Sequence, residues 1–82
     1  MKKEQLVEEL INFLATYRIF DNVENMKAEN IMKQLEYAWF VEHLIHIIII
    51  KTSYIGNIDH ERLKVLLLEL EKIRLDLEYE AA

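Results

Sequence analysis

A chain of 82 residues with no cysteine, no proline and a single glycine is poor in turn formers, which points to long uninterrupted elements, helices above all. The formal charge of -5, with acids spread along the chain rather than bases clustered, excludes sequence-independent binding to nucleic-acid phosphates, which needs grouped Lys and Arg. A hydrophobic fraction of 52% excludes disorder; yet so short a chain buries only about 60% of the surface it exposes when unfolded, and with no disulfide it is expected to gain stability by oligomerising.

The first predicted element is an amphipathic helix over about 3–20. Leu6, Leu10, Phe13 and Tyr17 recur at spacings of three and four, with Val7, Ile11 and Leu14 beside them. Glu4, Glu8 and Glu9 interrupt the apolar run a signal peptide would need, so the segment is read as part of a cytoplasmic protein.

Asp21 with Glu24 resembles a capping box, and Asn25 offers a second N-cap, so a second helix is expected from about residue 22. Ile31, Leu35, Ala38, Ile45 and Ile49 continue one helical face to about residue 55, where Gly56 stands ready to end the helix in a left-handed C-cap. The run Leu44–Ile55 has strand propensity too. No other segment alternates with period two, and a lone strand would leave its backbone unpaired, so the helix is preferred. The apolar stretch from Tyr37 to Ile50 is shorter than the roughly 20 residues that span a bilayer, and Glu42, His43 and His46 interrupt it, so no membrane partner is expected.

The third predicted helix, about 59–79, starts at an Asp59 N-cap with Ile58 and Leu63 at hydrophobic-staple positions. Leu63, Leu66, Leu70, Ile73 and Leu77 form its main seam, and Val65, Leu68, Leu75 and Tyr79 a second ridge well away from it. The pattern therefore predicts one all-α domain over 1–82: three helices, the central one about twice as long as its neighbours.

Short connections make consecutive helices antiparallel neighbours, so the first helix lies along the first half of the central one and the third along the second half. At 100° per residue, Phe40, Val41, Leu44, Ile45, Ile47, Ile48 and Ile49, with Ala38, sweep an arc of roughly 200°. One packed neighbour needs a stripe of only about 100°. The surplus predicts a helical-bundle homodimer meeting near Ile45–Ile49, with Trp39, the arc and the Val65, Leu68, Leu75 and Tyr79 ridge as its interface. The alternative is a kink in the central helix that lets the first helix fold over its second half and close the bundle within one chain.

Function is expected to run through protein contacts, as a small regulator, inhibitor or adaptor that is not an enzyme and has no cofactor. Three other chemistries have weaker signals. Glu42, His43 and His46 share a helical stripe and are the candidate metal ligands, but bundle metal sites draw ligands from several helices, and Glu-x-x-His is missing. The same histidines, near an apolar interface, would make association sensitive to pH. The spread acids suit an antagonist that occupies the basic surface of a nucleic-acid-binding protein. Tyr37, Trp39 and Phe40 could form an aromatic ligand box, though aromatics at this spacing are more commonly core or interface.

Overall fold

The computed structural model describes residues 1–20 and 27–81, and the Asp21, Glu24 and Asn25 start of the expected second helix lies outside them. The described residues are all-helical, in four helices: α1 (Lys3–Thr16), α2 (Ala28–Gln34), α3 (Ala38–Thr52) and α4 (His60–Ala81). The expected long central helix is thus divided in two, and the three-helix architecture is corrected to four.

α1 buries Leu6, Val7, Leu10, Phe13 and Leu14 on one face. It stops short of the expected Phe20 because the chain turns left-handed at Arg18, with φ 51°. The Arg18 N–H donates to the Ala15 carbonyl at 3.2 Å and the Ile19 N–H to the Leu14 carbonyl at 2.9 Å, the paired bonds of a Schellman motif. Ile19 and Leu14, which that motif brings together, are both in the core.

The break at Leu35–Tyr37 involves neither proline nor glycine. Glu36 and Tyr37 donate to carbonyls three residues back, Lys33 at 3.3 Å and Gln34 at 3.0 Å, and Tyr37 becomes extended (φ -108°, ψ 118°) before α3 begins. Packing explains it. α2 buries Ile31 with Leu35 at its C-cap, while α3 buries Val41, Leu44, Ile45, Ile48 and Thr52. On one straight helix Ile31 and Leu35 would point roughly 110° away from the Val41–Ile48 stripe. Two short helices can turn both sets into one core. The face expected from Ile31 through Ile49 accordingly holds as far as Ile45, which is buried, and fails at Ile49, which is exposed while Ile48 is buried in its place.

α3 ends before Gly56. Thr52 Oγ1 donates to the Ile48 carbonyl at 2.6 Å and Ser53 Oγ to the Ile50 carbonyl at 2.6 Å, while the Ile55 N–H donates to the Thr52 carbonyl at 3.1 Å. Ser53 Oγ and the Ile55 N–H thereby serve terminal carbonyls of α3 without a left-handed residue, while the Thr52 hydroxyl bonds back onto the preceding turn. No described glycine has positive φ, so the expected left-handed role of Gly56 is not adopted.

α4 starts as its sequence predicts. Asp59 Oδ1 accepts the Arg62 N–H at 3.1 Å, and Ile58 is buried with Leu63 partly buried four helical positions on. The Asp59 N–H donates to the Tyr17 hydroxyl at 2.9 Å, tying the end of α1 to the start of α4. α4 has 22 residues, about 33 Å at 1.5 Å per residue, and accounts for most of the 39 Å long axis.

α4 packs along α3, and α1 packs on both α2 and α4. Arg62 lies over the Phe13 ring, 5.7 Å from its centroid. Leu10 and Leu14 of α1 face Phe40, Leu44 and Ile47 of α3 across a small apolar cavity of about 120 Å³. α1 therefore reaches the second half of the expected central helix, as the kinked alternative requires. One buried cluster joins the apolar face of α1, Ile19, Ile31 and Leu35 to Val41, Leu44, Ile45 and Ile48 of α3 and to Ile58, Leu66 and Leu70.

Candidate interaction surface

The expected apolar arc divides once the break is formed. Val41, Leu44, Ile45 and Ile48 face the chain's own core, Phe40 and Ile47 are half-buried against it, and only Trp39 and Ile49 of the expected α3 residues stay exposed. Tyr37, Ile50 and Tyr54 are exposed as well, and the sequence pattern did not separate them from their buried neighbours. Trp39 stacks edge-on to Phe40 with centroids 6.0 Å apart and stands 6.4 Å from Tyr37, so the aromatics form a surface cluster around the start of α3.

The second ridge of α4 is exposed at all four of its apolar positions. Val65 is 43% exposed, Leu68 53%, Leu75 52% and Tyr79 86%. The main seam, by contrast, is turned inward: Leu66 and Leu70 are buried, and Leu63, Ile73 and Leu77 are packed against the core. The ridge follows spacings of three, seven and four, with Lys72 in the intervening position. Read as a heptad, Val65, Lys72 and Tyr79 take the a positions and Leu68 and Leu75 the d positions.

Charges border the ridge on both sides. Arg74 donates through Nε to Glu71 at 3.1 Å and through Nη1 to Glu78 at 2.8 Å. Those hydrogen bonds hold the Glu71 carboxyl below its ordinary range, against a smaller opposing effect of desolvation, and push the Arg74 guanidinium further up. On the other side Lys72 pairs with Glu69 at 3.3 Å. These pairs sit at the surface with Arg74 and Glu69 partly covered and their partners more exposed, so each contributes only modestly to stability. Their effect is to neutralise acids beside apolar side chains.

The candidate metal residues separate. Glu42 and His46 line a shallow groove with Glu71 and Arg74, whereas His43 borders the apolar cavity beside Phe40 and Ile47. All three are exposed, and among the described residues no three His, Asp or Glu side chains stand close enough to hold one metal ion. The Arg74 guanidinium near Glu42 and His46 adds a positive charge where a metal would need a negative surround.

Sequence reasoning missed a second feature, an open groove of about 760 Å³ where the start of α1 and the α2–α3 turn meet the C-terminal half of α4. Leu6, Leu35, Ile73 and Leu77 contribute apolar lining; Glu36, Glu69, Asp76 and Glu80 contribute acids. Glu69, Asp76 and Glu80 come from one helix; that Glu36 joins them follows from the chain break. No described helix is long and apolar enough to cross a membrane. No family model matches the chain, and neither does any curated protein or solved structure.

Proposed function

We propose that this chain is a non-enzymatic helical interaction module, a small regulator, inhibitor or adaptor that works as a homodimer through an apolar helix face. The observation that carries it is the α4 ridge: Val65, Leu68, Leu75 and Tyr79 lie exposed at heptad spacing, on the side of the helix away from its core seam. Fully burying one such side chain contributes roughly 1.5–3 kcal/mol, and a two-fold contact uses each residue twice. The reading is tested by sedimentation equilibrium of the wild type and of the double variant Leu68→Glu with Leu75→Glu. The wild type is expected to sediment as a dimer, and the variant as a helical monomer with little change in its circular dichroism. A wild type that stays monomeric at millimolar concentration would reject the homodimer.

A second reading is favoured by the groove at Leu6, Leu35, Ile73 and Leu77. Glu69 is paired with Lys72 and with the N-terminal ammonium, and Glu36, Asp76 and Glu80 outnumber the remaining Lys3, so the groove suits a basic amphipathic segment of another protein, including one whose basic face otherwise binds nucleic acid. Binding of a synthetic Lys/Leu amphipathic peptide, lost in Asp76→Lys with Glu80→Lys, would support it.

A further inference from the structure

We infer that the α4 ridge receives the α4 ridge of a second copy of this chain, with the two helices antiparallel; this rests on the homodimer reading and adds its surface and register. In an antiparallel pair the a positions of one helix meet the d positions of the other, so Val65 meets Leu75 and Leu68 meets Lys72, twice over by symmetry.

Charge decides the direction. In the antiparallel register Lys64 stands opposite Glu78 of the second copy, giving an attractive pair at each end of the contact, while Arg62, at the edge facing Asp76, lies over the Phe13 ring of its own chain. The acids that meet their own counterparts near the axis, Glu69 and Glu71, are already paired within each chain, to Lys72 at 3.3 Å and to Arg74. Lys72 can lay its methylenes along Leu68 of the other copy while its ammonium stays with Glu69 at the rim. A parallel pairing would set Lys64 opposite Glu69 of the second copy, but it would also set Lys72 against Lys72 in the middle of the apolar seam and Glu71 against Asp76, and like charges placed so disfavour that partner geometry.

The chain contains no cysteine, so engineered disulfides report the register without interference. Val65→Cys and Leu75→Cys chains are made separately, mixed, and oxidised mildly, and the cross-linked species are identified by mass. Both positions are exposed, so neither substitution disturbs the core. The expected result is a cross-link dominated by the mixed pair, with little linking in either variant alone. Linking of each variant to itself would indicate a parallel pair and overturn the inference. Absence of linking in a chain that sediments as a dimer would move the interface elsewhere and overturn the inference while sparing the homodimer reading; absence of linking in a monomeric chain would overturn both. Charge exchange gives an independent check: Lys64→Glu and Glu78→Lys should each weaken dimerisation several-fold, two pairs being lost per dimer, and the double exchange should restore it. Failure of the double exchange to restore would likewise overturn the antiparallel register.

Discussion

Arg18 carries a conformational cost for which no side-chain hydrogen bond or ion pair to a described residue compensates. It sits at φ 51° in the turn that ends α1 and is itself exposed. An L-residue in this region costs roughly 1–2 kcal/mol relative to right-handed backbone, whereas glycine has no Cβ to clash. Glycine also has more freedom to lose on folding, so the two effects partly cancel. Arg18→Gly is expected to stabilise the fold by up to about 1 kcal/mol, the left-handed penalty less the glycine entropy cost, read as a raised midpoint in urea denaturation. Gly56 is the converse case, a glycine without positive φ and with nothing within 4 Å of where a Cβ would stand. The only glycine of the chain is therefore not where the left-handed turn is, which no propensity scale would have suggested.

At the scale of the element, α4 combines a core seam, an exposed ridge and a flanking ion-pair ladder on one helix. Hydrogen bonding from Arg74 lowers the Glu71 carboxyl below its ordinary value of 4.5. In the unfolded chain that carboxyl returns to its ordinary value. The stabilisation is therefore fully present above pH 4.5 and is lost as the pH falls through the lowered folded value. Arg74 stays protonated throughout that window. Glu71→Gln is expected to be slightly less stable than wild type at neutral pH, and the difference should close on acidification, checked by thermal melts between neutral pH and pH 3. A gap that widened in acid would contradict the pairing.

For the molecule as a whole, the isoleucine run serves two masters. Ile45 and Ile48 join the core shared by α1, α3 and α4, and Ile49 and Ile50 are left outside. Ile48 is fully buried within the single chain, so its expected role at the centre of a dimer contact gives way to one in folding. Ile48→Ala should cost about 2–5 kcal/mol, a large part of the roughly 5–15 kcal/mol that holds a small domain. The loss should appear in chemical denaturation without dependence on protein concentration, in contrast to the ridge substitutions, whose effect is on association. A concentration-dependent loss would return Ile48 to an interface.

By itself the sequence determined the helical class, the amphipathic face of α1, and nearly all of α4. Those features rest on short-range physics: spacings of three and four residues, the Asp59 side chain reaching the Arg62 N–H, and an apolar seam separated from an apolar ridge on the same helix. Tertiary structure decided the rest. The break at Leu35–Tyr37 has no breaker residue to announce it, because it answers a demand made by α1 and α4 together, that Ile31 and Leu35 turn into the same core as Val41–Ile48. A helix apolar around most of its circumference cannot tell from its own residues which side will be covered. That choice fell to the neighbours, which buried Ile48, exposed Ile49 and Ile50, set His43 apart from Glu42 and His46, and left the α4 ridge open to solvent.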